Sequence, residues 1–141
     1  MKIFQYGYKE EPFDEEGSTI FRPRADIILR YNNKQKQVGA IVDSGSDISI
    51  IPKDLAEYLG LPLLLQTKRA IGGVSGETHA FQSCLNIVFI SNNADDVLLI
   101  RDIPVIIVEN FPDIVLGRKG VFDLFTITFE EAKRTITLQT N

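Results

Sequence analysis

Residues 40–52, AIVDSGSDISIIP, place a cluster of polar side chains inside an apolar, β-branched stretch. At the centre is the tripeptide Asp43-Ser44-Gly45. Aspartate can transfer protons in catalysis, and a carboxylate at the edge of a core needs hydrogen-bond donors or a partner. Gly45 lets backbone N–H groups approach the carboxylate, and the Ser44 hydroxyl both donates and accepts. The tripeptide is also common in Asx turns at strand ends, so alone it leaves a structural and a functional interpretation open.

Two later segments favour the functional interpretation. Residues 70–81, AIGGVSGETHAF, are predicted to form a hairpin with three glycines at its tip, and such a tip can open and close over a site. Residues 114–118, IVLGR, are predicted as a buried strand that ends in glycine and is followed by a cation and a short helix. The chain therefore carries an Asp-Ser-Gly loop, a glycine-rich hairpin and a Gly-Arg segment, in that order.

The remaining reactive side chains give weaker signals. His79 is the only histidine and Cys84 the only cysteine, so neither a zinc site nor an internal disulfide is expected. We interpret His79 as a surface or packing residue and Cys84 as a residue packed in a strand. The segment GGVSG lacks the Gly-Lys-Ser/Thr ending of a phosphate-binding loop. No metal or organic cofactor is predicted.

The elements that must position the Asp-Ser-Gly loop are mostly strands. ADIILRY and QVGAIVD are predicted to form a hairpin around NNKQK, and the second strand ends at Asp43. PKDLAEYLG is predicted as a short helix that Gly60 terminates, and RKGVFDLF as a second short helix. CLNIVFI, IPVIIVE and a closing hairpin, FTITFEEAKRTITLQ, add further strands. This pattern indicates a mostly-β fold, either a small barrel or a sandwich.

Length and composition limit the class of protein. With 141 residues, 44% of them hydrophobic, the chain is long enough for one domain with its own core. The net charge of -4 argues against nucleic-acid binding. The N-terminal residues lack a signal-peptide pattern, and no window reaches the ~18 apolar residues of a membrane span. Because a single cysteine fits a reducing compartment, we expect a cytoplasmic protein. From the net charge and the lack of a long apolar window, we expect it to bind neither nucleic acid nor membrane.

The three motifs resemble those of the retropepsins, the retroviral-type aspartic proteases and their cellular and prokaryotic relatives. The resemblance runs from about Ala25 to Leu138 and is carried by IVDSGSDISII, IGGVSG and IVLGRKGVFDLF. It implies a mostly-β, small, closed, barrel-like half of an aspartic protease with one or two short helices. We therefore divide the chain into an acidic N-terminal arm, residues 1–24, which could be flexible, and a retropepsin-like domain, residues 25–141.

The resemblance also implies an activity. Retropepsins are half-enzymes in which each chain of a homodimer supplies one Asp-Thr/Ser-Gly loop, and this chain contains one such loop. The similarity implies an aspartic endopeptidase that cleaves extended polypeptides, with Asp43, Ser44 and Gly45 as its catalytic loop. The two carboxylates of such a pair share one proton. The implied partners are a second copy of the chain and a polypeptide substrate.

Further site residues are implied by the same resemblance. Gly117 and Arg118 are expected to support the catalytic loop, with Arg118 in a half-buried ion pair with Asp47. Residues in the loop after Asp43 and in the glycine-rich flap are expected to contact the substrate. They are Asp47, Ile48, Ile71, Gly72, Gly73 and Val74.

Two features leave alternatives open. The first twenty residues match no part of the retropepsin pattern, so the C-terminal strand RTITLQTN could form the dimer interface alone, or the N-terminal arm could cover a sheet edge. The fold could also serve as a non-proteolytic dimerisation or peptide-binding module. The intact catalytic tripeptide and the flap glycines favour the enzyme.

Overall fold

Strands make up most of the chain, as the β-branched segments predict. The computed structural model describes residues 1–65, 80–92 and 95–141. The strands are β1 (Ile3–Gly7), β2 (Lys9–Pro12), β3 (Thr19–Arg22), β4 (Arg24–Tyr31), β5 (Lys34–Val42), β6 (Ser49–Pro52), β7 (Leu64–Leu65), β8 (Ala80–Ile90), β9 (Val97–Val108), β10 (Val115–Leu116), β11 (Phe125–Glu130) and β12 (Thr135–Thr140). The helices are α1 (Lys53–Leu59) and a 3-10 helix (Phe122–Leu124). Within the described ranges, no helix is long and apolar enough to cross a membrane.

The larger sheet closes into a barrel. Its strand order is β4-β5-β10-β6-β9-β8-β7, and an additional pairing of β4 with β8 joins the two ends of the six strands from β4 to β8. Side chains on a strand alternate between its two faces, so Ala25, Ile27 and Leu29 of β4 all point into the closed core, where each is at most 1% exposed. The predicted mostly-β, barrel-like fold is confirmed.

The hairpin that leads to the Asp-Ser-Gly loop is tighter than the sequence suggests. Tyr31 pairs with Lys34, which leaves Asn32 and Asn33 as the whole turn. Asn32 has φ 52°, a left-handed conformation that asparagine tolerates better than most residues. The polar segment KQK, predicted as part of the turn, instead forms the start of β5. Its side chains are exposed, so polar residues are tolerated at these strand positions.

The predicted first helix is confirmed. α1 begins after Pro52 and ends at Gly60, whose φ of 75° fits the left-handed conformation that favours glycine at a helix C-terminus. Ala56 and Leu59 form its buried face.

The predicted second helix is reduced to a single 3-10 turn. Gly120 has φ 80°, and β11 already begins at Phe125, so only four residues lie between them, and three of these form the helix. Such a short connection is typical of a 3-10 helix.

A second sheet, in the order β1-β12-β11, packs against the barrel. The contact is an aromatic cluster in which the Phe89 ring of β8 lies 6.0 Å from Phe4 and 5.1 Å from Phe125. Aromatic side chains bury large areas and prefer such tilted or edge-on arrangements. The cluster therefore fixes both chain ends on the barrel.

The first 24 residues contain β1, β2 and β3. Phe4 and Tyr6 of β1 are at most 1% exposed, and the Tyr6 hydroxyl donates to the Ile90 carbonyl at 2.8 Å. β1 also covers one edge of β12, which was one of the alternatives left open by the sequence. The division at residues 24 and 25 stays a prediction, although the hydrophobic core extends across it.

Candidate active site

The Asp-Ser-Gly loop is built where β10 lies between β5 and β6. β10 runs parallel to β5, with Leu116 beside Val42, and antiparallel to β6. The Asp43 N–H donates to the Leu116 carbonyl at 3.0 Å. Because the chain must pass from β5 to β6 with β10 between them, the loop of residues 43–48 crosses over the end of β10.

Hydrogen bonds within the loop orient the aspartate. The Gly45 N–H donates to Asp43 Oδ1 at 2.8 Å, and the Ser46 N–H donates to the Asp43 carbonyl at 3.2 Å. The Ser46 hydroxyl donates to the Ile48 carbonyl at 2.7 Å. Asp43, Ser44 and Gly45 are all exposed. The carboxylate therefore has one side fixed by a backbone donor and faces solvent in the single chain.

Gly117 allows the loop to cross β10 at close range. A Cβ atom on Gly117 would lie 2.4 Å from the Ile48 carbonyl carbon and 2.5 Å from its oxygen. Such contacts are too short for any side chain, so only glycine fits. Next to it, the Arg118 N–H donates to the Ser46 carbonyl and the Lys119 N–H to the Asp47 carbonyl, both at 2.9 Å. The Gly-Arg segment thus supports the loop through its backbone.

Ser49 contributes to the same crossing and was missed in the sequence. Its side chain is 1% exposed, and its hydroxyl accepts a hydrogen bond from the Gly117 N–H at 3.0 Å. A buried hydroxyl needs a partner, and here it satisfies an N–H that would otherwise be buried without one. The available signal was a single serine within the apolar run ISII.

Asp47 and Arg118 form the predicted ion pair, but the expectation that it is half-buried is wrong. Arg118 Nη2 lies 2.5 Å from Asp47 Oδ1, while the side chains are 59% and 85% exposed respectively. Solvent screens such a pair, so its contribution falls from the roughly 3 kcal/mol of a buried pair to about 1 kcal/mol or less. In the single chain, Arg118 supports the loop mainly through its backbone.

A small apolar cluster lies next to the loop. Ala80, Ile106 and Val108 are buried together, and Ile48 and Ile50 pack against them. Ile106 and Val108 reach this cluster because they alternate along β9 with residues that face the main core. Ile48, predicted to contact substrate, therefore lies on an apolar wall beside the Asp43 loop.

The predicted flap residues cannot be placed. Ile71, Gly72, Gly73 and Val74 lie outside the residues that the structure describes, so their contact with substrate stays a prediction. β7 and β8 pair immediately to either side of that segment, with Leu65 opposite Phe81.

Arg24 joins three segments near the site and was also missed in the sequence. Its guanidinium binds both carboxylate oxygens of Glu11 and both of Asp113, with Nη2 at 2.7 Å from each acid, and Nη1 donates to the Gly39 carbonyl at 2.9 Å. The Arg24 side chain is only 14% exposed. Such bidentate pairs are strong and directional. Arg24 therefore links β2 and β5 to Asp113, which directly precedes β10.

The Arg24 cluster changes the protonation of its acids. The hydrogen bond from Arg24 lowers the pKa of Glu11 below its ordinary value of 4.5. Burial alone would raise the pKa of Asp113, but the bonds from Arg24 and the Ile114 N–H, with the nearby arginine charges, lower it below 3.8. The two carboxylates in turn raise the pKa of Arg24. All three groups are therefore charged at neutral pH.

The other reactive residues stand apart from this arrangement. His79 lies outside the described residues. Cys84 is exposed on β8, so the expectation that it packs is wrong: it lies on the outward-facing side of the strand. Within the described ranges, no group of three or more His, Cys, Asp or Glu residues is arranged to hold a metal ion.

Comparison with protein families gives one match. A family model described as aspartyl protease matches residues 27–119, which is 93 of the 141 residues. The matched range includes the Asp43 loop and ends just after Arg118. No curated protein matches the sequence.

Several solved structures have the same fold. A retropepsin-like aspartic protease from Rickettsia conorii is 13% identical with a TM-score of 0.64, covering 98% of this chain and 99% of that one. The retroviral protease-like domain of Ddi1 from Leishmania major is 16% identical with a TM-score of 0.54, covering 85% and 94%. The EIAV protease complexed with the inhibitor HBY-793 is 20% identical with a TM-score of 0.53, covering 73% and 88%. At these identities the likeness establishes the retropepsin fold.

The close approach at Gly117 predicts a large effect of a single methyl group. We expect Gly117→Ala to lower the free energy of unfolding by roughly 3 kcal/mol, because the new Cβ must displace the Ile48 backbone. Chemical denaturation measures this change. Gly7→Ala is the matched control, since nothing lies within 4 Å of a Cβ at Gly7. Equal stability of the two variants would contradict the packing argument.

The Arg24 cluster predicts a pH-dependent effect. Folded-state pKa values below the ordinary ones contribute stability at pH values above about 5, and this stability is lost as pH falls through the lowered values. We expect Arg24→Met to cost about 2 kcal/mol at pH 7 and clearly less at pH 3, which lies below the ordinary pKa values of both acids. Urea denaturation at both pH values measures this difference. Arg101→Met, at an exposed arginine, is the control. A cost that is equal at both pH values would refute the assignment.

Proposed function

The chain belongs to the aspartyl protease family, and we propose that it is an aspartic endopeptidase that works as a homodimer, with Asp43 of each chain in one shared site. The observation that carries this proposal is the Asp43 loop itself. It is held on three strands, its carboxylate is exposed, and the sequence contains one Asp-Ser-Gly tripeptide. A second carboxylate of the same kind is supplied by the partner's Asp43. A two-fold axis brings the same loop of both chains together.

The paired carboxylates perform acid and base roles in turn. Two nearby carboxylates cannot both ionise cheaply, so the pair holds one proton. The ionised Asp43 removes a proton from a water molecule, whose oxygen attacks the peptide carbonyl carbon, while the protonated partner donates to the carbonyl oxygen. The tetrahedral intermediate then collapses, the C–N bond breaks, and a carboxyl proton moves to the leaving amine.

The loop geometry supports these roles. The Gly45 N–H holds Asp43 Oδ1 in place, which leaves the other oxygen for water or for the partner. The exposed Ser44 hydroxyl is free to bond the partner's loop backbone across the two-fold axis. The Gly45 carbonyl accepts a hydrogen bond from the substrate backbone. Gly117 and Arg118 keep the loop in position from below, and the fixed scaffold keeps the reacting groups aligned.

The substrate is an extended polypeptide. In this arrangement its backbone lies between the two Asp43 loops and the flaps, and Asp47 contacts it at the loop end. Ile48 and the apolar cluster around Ile106 form a wall suited to apolar side chains. The proposal keeps the expectation that Ile71, Gly72, Gly73 and Val74, which lie outside the described residues, contact the substrate. The proposal therefore predicts a preference for apolar residues beside the cleaved bond.

Replacing the aspartate tests the proposal directly. We expect Asp43→Asn to keep the fold and the dimer but to lose cleavage by at least about 10³-fold, because the pair can no longer act as a base. Digestion of a peptide library, read by mass spectrometry, measures the loss. Asp102→Asn, an equal change at an exposed acid on β9, should cleave as the parent does. Cleavage by Asp43→Asn at the parent's rate rules out this mechanism.

A further inference from the structure

The terminal sheet limits where a second copy can bind. In the order β1-β12-β11, β12 is the central strand, and both of its edges are occupied by strands of its own chain. A partner strand can extend this sheet only at the outer edge of β1 or of β11. The two edges differ in how they are protected.

Side chains of the turn between β8 and β9 cap the outer edge of β1. The Asn92 side-chain amide donates to the Gln5 carbonyl at 2.7 Å, and the Ile3 N–H points to Asp96 Oδ2 at 3.4 Å. Lys2 reaches across the same edge to the Val97 carbonyl. The Asn92 and Asp96 contacts occupy backbone groups of β1 that a partner strand would need, so β1 is a blocked edge.

The alternating hydrogen bonds of antiparallel strands show which backbone groups of β11 point away from β12. On β12, the Thr140 N–H and the Arg134 carbonyl bond to β1. Because the backbone groups of successive strand residues point to opposite sides, the even-numbered residues of β12 face β1 and the odd-numbered ones, including Thr137, bond to β11. Thr137 lies opposite Thr128, which makes the even-numbered residues of β11 the inner, bonded set. The outward N–H and C=O groups are therefore those of the odd-numbered residues.

The outward groups of β11 are largely unpaired. The Phe125 N–H already donates to the Phe122 carbonyl. For Ile127 and Phe129, no other strand of the described chain pairs with β11 on that side. The edge also lacks the usual protection, because FTITFE contains no proline or lysine, and Phe129 and the neighbouring Leu124 are 38% and 42% exposed. An open, apolar edge of this kind favours strand addition.

We propose that a second copy of this chain binds along β11, antiparallel and centred on Ile127, to form one six-stranded sheet in the order β1-β12-β11-β11-β12-β1. This inference rests on the proposed homodimeric function and assigns its interface. In this register, Ile127 lies opposite the partner's Ile127, and Phe125 opposite the partner's Phe129. The outward N–H and C=O groups of one β11 strand then face those of the other, as a two-fold, self-complementary contact requires.

The location of β11 fits the shared site. The 3-10 helix before β11 begins at Phe122, whose N–H donates to the Arg118 carbonyl, and the Arg118 side chain bonds Asp47 in the loop. A dimer has a single two-fold axis, so the axis that relates the two β11 strands also relates the two Asp43 loops. The short connection between β11 and the loop allows both contacts at once.

A backbone substitution with a matched side-chain control tests the interface. Ile127→Pro and Ile127→Ala both shorten the half-buried side chain, but only proline removes the outward N–H. We expect Ile127→Ala to remain dimeric and Ile127→Pro to bind its partner at least about tenfold more weakly, since two symmetric hydrogen bonds are lost. Sedimentation over a concentration series measures dimerisation. Equal dimer affinity of the two variants would overturn the interface.

A cysteine cross-link keeps the test decisive if Ile127→Pro does not fold. In the proposed register, Thr126 lies opposite the partner's Thr128, with Cα atoms roughly 4.5–5.5 Å apart, which suits a disulfide. We expect the variant carrying Thr126→Cys, Thr128→Cys and Cys84→Ser to form a covalent dimer on oxidation, and the variant with Thr126→Cys and Cys84→Ser to do so far less. Failure of the first variant to cross-link overturns the proposal.

The same assays separate this inference from the proposed function. Asp43→Asn retains β11, so it should dimerise and accept the cross-link as the parent does while it fails to cleave. If Asp43→Asn cleaves normally, the catalytic proposal fails while the interface can still hold. If Asp43→Asn is inactive and the cross-link does not form, the interface fails while the catalytic proposal still holds.

Discussion

The site depends on one close approach between two backbones, at Gly117 and Ile48. The chain can pass from β5 to β6 only across the end of β10, and a Cβ at that point would lie 2.4 Å from the Ile48 carbonyl carbon. The Ser49 hydroxyl satisfies the Gly117 N–H that this approach buries. The hydrogen bonds that orient Asp43 follow from the crossing, because the Asp43 N–H reaches the last residue of β10. The rest of the fold holds these three strands in order.

The charged side chains in and near the site form two groups, one mostly buried and one exposed. The Arg24 cluster is mostly buried, bidentate and complete within one chain, so it stabilises the strands beneath the site. Asp43, Asp47 and the Arg118 side chain are exposed and make few contacts of their own. An exposed carboxylate is stable in one chain, and a second one beside it changes its chemistry through a shared proton. In the proposed homodimer, this separation would let a rigid scaffold present a site that two chains complete.

The sequence predicted the parts of the structure that local patterns determine. Alternating apolar residues located the strands, Gly60 marked the end of α1, and Gly117 stood out as the glycine of the Gly-Arg segment. Ser49 and Arg24 were missed because their partners, Gly117 and Asp113, lie more than sixty residues away in the chain. The Asp47–Arg118 pair was expected correctly, but its exposure depends on packing that a pairwise pattern does not contain. For the same reason, the burial of Phe4 and Tyr6 was not apparent from an acidic N-terminal segment.

The central claim is that two chains each supply one catalytic aspartate to a single site. Mixing the parent with Asp43→Asn after dissociation, and allowing the chains to pair again at random, tests it most directly. If each site needs both aspartates, only dimers of two parent chains cleave, and an equal mixture retains about a quarter of the parent's activity. Activity that falls only in proportion to the parent fraction, to about half in the equal mixture, would contradict the account, because each chain would then carry a complete site.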